Sequence, residues 1–163
     1  MLPAMSDSLL LALATNERIN QYLLDHIDDA VWNAKPAGGS GRTVAAIVAH
    51  MHNVRRMWLK VVSKGLAPPP KLERASVTRQ EAREALASSH AALDQVVSKS
   101  LAAGKVPNFS AGAAGFVSYL IAHDAHHRGQ ICMQVRQLGA RFPDEVMMAM
   151  WDWPKRAKEA AAR

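Results

Sequence analysis

Four long segments with helical spacing of apolar residues, separated by connections rich in Gly and Pro, constrain the fold of this chain more than any other feature. The second segment, predicted from Thr43 to about Lys64, repeats apolar side chains at intervals of three and four residues, which places them in one stripe along a helix. The other segments are predicted from about Ser6 to Asp29, from Thr78 to about Ala102 and from about Ala113 to Leu138. Helices with one such stripe bury it best by packing into a bundle.

The residues at the ends of these segments support the same prediction. Thr78 and Glu81 have the spacing of a capping box, and Gly139 lies where a left-handed C-cap is expected. Beyond it, Pro143 suits the first turn of a further short helix, which Pro154 must kink or interrupt. We therefore predict an all-α protein, a four-helix bundle with an additional short C-terminal helix, forming a single domain over residues 1–163.

Composition and charge exclude several other classes of protein. The net charge is +6, from 20 basic and 14 acidic residues, but the basic residues are scattered, with modest clusters at Arg55–Arg56 and Lys155–Arg156–Lys158. We interpret them as solvated helix faces rather than a nucleic-acid interface. Cys132 is the only cysteine, so an intramolecular disulfide and a Cys-based zinc site are excluded. No segment approaches the roughly 20 apolar residues of a membrane span, and no basic leader precedes an apolar run, so we expect a cytoplasmic protein.

The fourth segment carries histidines where its apolar stripe should continue. The stripe consists of Phe116, Leu120, Ile131, Val135 and Leu138. The positions that complete it, at spacings of three and four, are His123 and His127. Two imidazoles at i and i+4 lie one turn apart and point the same way, so both can reach one metal ion at about 2.0–2.1 Å. His126 lies toward the edge of the stripe and is a weaker ligand candidate, with a supporting role as the alternative.

The second segment supplies a third imidazole. Its predicted stripe consists of Val44, Ile47, Met51, Val54, Trp58 and Val61. His50 lies on the same side as this stripe, whereas His52, about 200° further around the helix, is predicted to face outward. His50, His123 and His127 would together form a three-histidine metal site. Imidazole ligands suit zinc and nickel among the divalent ions, and three protein ligands leave coordination positions for water or substrate.

A site of this kind has chemical consequences. Water bound to such an ion becomes acidic enough to act as a nucleophile near neutral pH, and a bound thiol is deprotonated. The opposing interpretation is that each histidine is an ordinary core residue with its own hydrogen-bond partner. We favour metal binding, because an unpaired buried imidazole carries a desolvation cost. The segment lacks the Glu of H-E-x-x-H, so a zincin protease is not indicated.

Two stretches resemble the DinB/YfiT-like superfamily of metalloenzymes. "KPAGGSGRTVAAIVAHMHNVRRMWL" (35–59) is similar to the family's loop and second helix, and "YLIAHDAHHRGQICMQVRQLG" (119–139) contains its strongest signature, H-x-x-H-H-R-G-Q. The resemblance extends over nearly the whole chain. It implies a four-helix bundle, commonly a homodimer, with His50, His123 and His127 as ligands of zinc or nickel. Among relatives are thiol-dependent enzymes, such as mycothiol-dependent maleylpyruvate isomerase and bacillithiol transferases.

Other residues near the signature admit two interpretations each. Arg128 can bind a substrate carboxylate, but we prefer an ion pair with a carboxylate of the first helix such as Asp25. Gly129, inside a helix, predicts the close approach of another helix. Cys132 is predicted to be a buried, unreactive thiol. Trp151 and Trp153 can line a pocket, although core or dimer contacts are the preferred interpretation.

Three functional hypotheses follow, and they differ in class. The first is a divalent-metal-dependent enzyme, either a thiol-dependent transferase or isomerase or a hydrolase, acting on a small-molecule substrate with a low-molecular-weight thiol as a candidate partner. The second is a metal-binding or stress-response module without catalysis. The third, nucleic-acid binding, rests on the positive charge and on the damage-inducible history of the family name, and it ranks last.

Overall fold

The computed structural model describes residues 4–63 and 65–162 of the 163-residue chain. Within those residues it contains seven helices and no β-strand, with one isolated β-bridge between Val106 and Phe109. The helices are α1 (Met5–Asp25), α2 (Asp29–Trp32), α3 (Val44–Val62), α4 (Arg79–Ala103), α5 (Gly112–Gln137), α6 (Asp144–Trp151) and α7 (Trp153–Ala161). The all-α prediction is therefore confirmed. In this part of the chain, no helix is long and apolar enough to cross a membrane.

Local sequence signals place most helix ends where they were predicted. The Thr43 hydroxyl accepts a hydrogen bond from the Ala46 amide, and Thr78 and Glu81 form the predicted capping box. Gly139 has φ +81°, the left-handed conformation expected after α5. The predicted end of the second helix, Lys64, lies outside the described residues, and α3 ends at Val62.

Two predicted boundaries are wrong or incomplete. The first helix was expected to reach Asp29, but α1 ends at Asp25. The Asp28 side chain accepts a hydrogen bond from the Ala30 amide and begins the separate short helix α2. At the other end, the single short helix that was predicted is two helices. Asp152 separates them and accepts from the Lys155 amide, with Pro154 in the first turn of α7, so the predicted interruption is confirmed.

Each of the four long helices contacts at least two of the others. Both α1 and α3 contact α4 and α5, and α4 also contacts α5. The last helix, α7, packs on α1, where the Arg156 guanidinium lies 4.3 Å from the Tyr22 ring centroid and Glu159 accepts from Arg18 at 2.7 Å. These contacts bring α1, α3 and α5 together in the region that carries the histidines.

A layer of buried polar side chains divides the apolar core into two clusters. On α5, Leu120 belongs to one cluster and Ile131 to the other, and Asp124 lies between them. We call this the polar layer; it consists of Asn16, Glu17, Asn20, Arg55 and Asp124, all buried. A layer of this kind is tolerated only when its hydrogen bonds are satisfied.

The buried face of α3 differs from the predicted stripe. Val61 is 39 % exposed, whereas His52, predicted to face outward, is fully buried. The cause is the loop after α3, which folds back along that helix. Its Pro70 carbonyl lies 2.8 Å from His52 Nε2, and its Leu72 forms two hydrogen bonds with Asn53. The loop therefore covers a side of α3 that periodicity alone assigns to solvent.

Candidate metal centre

His50, His123 and His127 converge in the structure as predicted. Each offers one ring nitrogen, and these nitrogens all lie within 4.8 Å of one another. The Nε2 atoms of His123 and His127 are 3.2 Å apart, and the ring centroids of His50 and His127 are 4.7 Å apart. The pair on α5 arises from the i, i+4 spacing, and the contact between α3 and α5 brings in His50. A cluster of this size is compatible with a metal ion held by imidazole ligands. We call these three residues the histidine cluster.

Gln130 fixes the orientation of one ring in the cluster. Its Oε1 lies 2.8 Å from His127 Nδ1, and since an amide oxygen only accepts, Nδ1 must carry the proton. The lone pair of His127 is therefore on Nε2, the atom that faces His123. The Gln130 amide nitrogen in turn lies 3.0 Å from His126 Nε2. His126, which is exposed, thus contacts Gln130 rather than joining the cluster.

Asp124 lies beside His123 without a direct hydrogen bond. The His123 Nδ1 to Asp124 Oδ1 distance is 3.7 Å, which is longer than a hydrogen bond requires. The carboxylate instead belongs to the polar layer, where its Oδ2 accepts from Arg55 at 2.6 Å, from Asn16 at 2.7 Å and from Asn20 at 2.9 Å.

The surroundings of the cluster favour neutral imidazoles. Burial, and after it the charges of Arg42, the two neighbouring histidines and Arg74, together lower the pKa of His50 to about 4. Burial also lowers the pKa of His127, against the hydrogen bond to Gln130. A neutral ring has a lone pair to donate, so at neutral pH these two rings are in the state that a metal ion needs.

A cleft opens beside the cluster. It has a volume of about 710 Å³, and His126, Gln130 and Arg42 are among the residues that line it. Arg42 also acts electrostatically on His50 and His127. The cleft therefore reaches Gln130, which contacts the cluster through His127.

Most of the chain matches the model of one protein family. The model of the DinB family matches residues 4–151, which include the histidine cluster and every helix except α7. The chain belongs to the DinB family. This confirms the resemblance seen in the sequence. No curated protein and no solved structure matches the chain.

In this DinB family member, the predicted environment of Arg55 is wrong. Arg55 was interpreted as part of a solvated pair, yet it is 3 % exposed. It donates to Glu17 at 2.7 Å and to Asp124 at 2.6 Å. Burial alone would raise the pKa of Asp124, but the Arg55 charge and the hydrogen bonds overcome it and hold that pKa well below its usual range. The available signal was its spacing, four residues after Met51 and four before Leu59.

The preferred prediction for Arg128 is wrong. Its Nη1 donates to the side-chain oxygens of Asn16 at 2.7 Å and Asn20 at 2.6 Å, while Asp25 pairs with Arg83 and Arg18. The prediction chose the wrong part of α1, because Asn20 and Asn16 lie about one and a half and two and a half turns before Asp25 on that helix.

Two other predictions about α5 have mixed outcomes. Gly129 was expected to permit the close approach of another helix, but a Cβ built there would have no atom within 4 Å. Its position instead leaves open space, and it lines cavities on both sides of α5. Cys132 is a free, partly buried thiol, and burial raises its pKa, which agrees with the predicted low reactivity.

Proposed function

We propose that this protein is a divalent-metal-dependent enzyme with an open three-histidine site, acting as a thiol-dependent transferase or isomerase or as a hydrolase. The observation that carries the proposal is the convergence of three ring nitrogens within 4.8 Å. Gln130, which contacts His127, also lines a neighbouring cleft. Membership of the DinB family supports the metal-binding part. We further propose that α1, α3, α4 and α5 form the four-helix bundle implied by the resemblance, within a single domain.

In this proposal His50, His123 and His127 hold the ion, with zinc and nickel as the ions that suit imidazole ligands. When bound, the ion would supply an acidified water or a thiolate as the nucleophile. Gln130 contributes by keeping the proton of His127 on Nδ1, so that Nε2 stays available as a ligand. Arg42, at the edge of the cleft, supplies positive charge for the anionic groups of a small-molecule substrate or a low-molecular-weight thiol.

Two further parts of the proposal concern the setting of the protein rather than its chemistry. We propose a homodimer, on the family resemblance, and we propose that it acts in the cytoplasm. Sedimentation of the purified chain tests the first of these directly.

The first experiment measures metal content. Protein expressed without a histidine tag is analysed by mass spectrometry of its metals, beside the His123→Ala and His126→Ala variants. We expect about one equivalent of a divalent ion in the parent and in His126→Ala, since His126 contacts Gln130 and not the cluster, and almost none in His123→Ala. No ion in any of the three proteins would contradict the proposal at its first step.

The second experiment separates catalysis from storage. The metal-loaded protein is assayed for transfer to an electrophile with a panel of low-molecular-weight thiols, and for hydrolysis of esters and amides without thiol. Turnover that requires both a thiol and the metal identifies a transferase or isomerase, and turnover with water alone identifies a hydrolase. Metal retention without turnover in either assay would favour the non-catalytic alternative.

A further inference from the structure

A second cavity lies on the other side of α5 from the histidine cluster. Its volume is about 240 Å³, and α1, α5, α6 and α7 enclose it. The side chains that line it are almost all apolar, among them Ile19, Ile121, Met147, Met150 and Trp153. It reaches solvent beside Ala125 and Trp151, both of which are exposed. For scale, an engineered apolar cavity of about 150 Å³ binds benzene.

One charged group lines this apolar cavity. The Arg128 guanidinium is mostly buried, and its Nη1 is held by the side-chain oxygens of Asn16 and Asn20. In residues 4–63 and 65–162, no acceptor is found for its Nε or its Nη2. These two donors lie along one edge of the planar guanidinium, in the geometry that matches the two oxygens of a carboxylate.

The carboxylates nearest Arg128 are engaged elsewhere. Asp124 and Glu17 both act on Arg128 electrostatically, but their direct ion pairs are with Arg55. Within the described residues, no carboxylate lies within 4.0 Å of a nitrogen of Arg128. The protein itself therefore leaves the open edge of this guanidinium without a charged partner.

We propose that this cavity binds an amphipathic monocarboxylate with one or two rings, its carboxylate on Nε and Nη2 of Arg128 and its apolar part between α5 and the two tryptophans. The apolar lining favours a ring system, and a single cation favours one negative charge over the two of a phosphate monoester. Small residues on α5 leave the room, because a Cβ at Gly129 would meet no atom within 4 Å. This site is separate from the histidine cluster and independent of the proposed enzymatic activity.

The experiment compares two probes of nearly equal shape. Isothermal titration calorimetry measures the binding of 1-naphthoate and of the neutral 1-naphthamide to the full chain as purified. A charge-assisted hydrogen-bonded pair predicts that the acid binds about tenfold more tightly than the amide, or better. In an NMR spectrum of methyl-labelled methionines, the signals of Met147 and Met150 should move on addition of the acid, and that of Met57, on α3, should not.

Three variants and one matched control locate the site. Ala125→Leu adds a side chain at an exposed position of α5 that lines the cavity, so it should abolish binding of the acid while leaving Arg128 and the fold in place. Arg128→Met should remove the preference for the acid over the amide, with Arg136→Met, an exposed arginine on the same helix, as its matched control. His123→Ala should leave the affinity unchanged, because the site does not use the metal ligands.

Several results would overturn the proposal. Equal affinity for the acid and the amide, or no binding of either, would do so. Binding that survives Ala125→Leu but is lost in His123→Ala would place the carboxylate at the metal instead. If neither probe binds and Trp151→Glu converts a dimer into a monomer in sedimentation, the cavity is covered by a second copy of the chain. Because Ala125→Leu retains the polar contacts of Arg128, the test stands even if Arg128→Met does not fold.

Discussion

The polar layer and the histidine cluster are built on neighbouring residues of α5, yet they satisfy their polar atoms in opposite ways. In the polar layer, Asp124 accepts three hydrogen bonds through one oxygen, and Arg55 is paired with both Asp124 and Glu17. In the cluster one residue earlier, His123 and His127 direct nitrogens at each other across 3.2 Å. The two arrangements face different neighbours because successive residues of a helix are separated by about 100°.

This difference distinguishes polar side chains that bind one another from polar side chains that are able to bind a ligand. A buried charge network that satisfies itself has no capacity left for a ligand, and it fixes how α1, α3 and α5 pack. The histidine cluster, in contrast, keeps one ring nitrogen from each of three residues within 4.8 Å of one another, an arrangement that can still accept a metal ion between them. The comparison predicts that changes to the polar layer affect stability first, whereas changes to the cluster affect binding first.

The largest effect is expected from Arg55→Met. It leaves the carboxylates of Asp124 and Glu17 buried without a cation, which typically costs about 3–5 kcal/mol in free energy of unfolding. Urea denaturation followed by circular dichroism measures it. Arg56→Met, which removes only a hydrogen bond to the Pro69 carbonyl, is the control and should cost no more than about 1.5 kcal/mol. An equal loss of unfolding free energy in both variants would show that the polar layer stabilises the fold no more than a hydrogen bond outside it.

Gln130→Leu tests the expectation that changes at the histidine cluster affect metal binding before stability. It removes the group that orients His127, and loss of such a partner typically lowers metal affinity by about 10–100-fold. Competition with a chromogenic chelator measures the affinity, while thermal unfolding of the metal-free protein should change little because Gln130 is exposed. Gln137→Leu, which lines the same cleft but does not contact the cluster, should bind metal as the parent does. If Gln130→Leu unfolds the protein instead, its role is structural.

Gly129→Ala should stabilise the protein by about 0.5–1 kcal/mol, because alanine loses less conformational entropy in a helix and finds open space there. Gly115→Ala on the same helix provides the contrast, since its Cβ would lie 2.6 Å from the Cβ of Ala111. We expect no gain, or a loss, at that position. Thermal melts of both variants measure the difference, and a loss at Gly129 would show that the space beside the cluster is smaller than described.

The smallest effect concerns His90, which acts electrostatically on the polar layer. Burial lowers the pKa of His90, and the charge of Glu17 offsets this only in part. The unfolded chain takes up a proton near pH 6.5 and the folded chain does so only at lower pH. The free energy of unfolding should therefore fall as the pH is lowered from about 6.5. His90→Gln should have a shallower slope over this range in urea titrations, and an unchanged slope would contradict the lowered pKa.

The sequence predicts the features that depend on local spacing and does not predict those that depend on long-range packing. Helix positions and the convergence of His50 with the α5 pair follow from local spacing and from caps such as Thr78 and Gly139. The burial of His52 does not, because the covering loop is placed by long-range packing. The partner of Arg128 was likewise wrong, since several residues of α1 were within reach and only the packed structure selects Asn16 and Asn20.

The polar layer is an instructive intermediate case. Arg55 and Asp124 each lie four residues from a buried leucine on their own helix, Leu59 and Leu120, so their positions on the stripe were visible in the sequence. Their charge led to the opposite interpretation for Arg55. A charged residue in register with an apolar stripe, matched by one of opposite sign on a neighbouring helix, is the pattern that indicates a buried pair.

The packing of α7 on α1 has a consequence for how the chain reaches its final state during synthesis. The surface of α1 around Arg18 and Tyr22 is covered by Glu159 and Arg156, residues translated about 140 positions later. A ribosome at roughly 5–20 residues per second takes on the order of ten seconds to cover that interval. Throughout it, one flank of the earliest helix has no native partner, so a nascent chain stalled before α7 should expose that flank to chaperones and proteases.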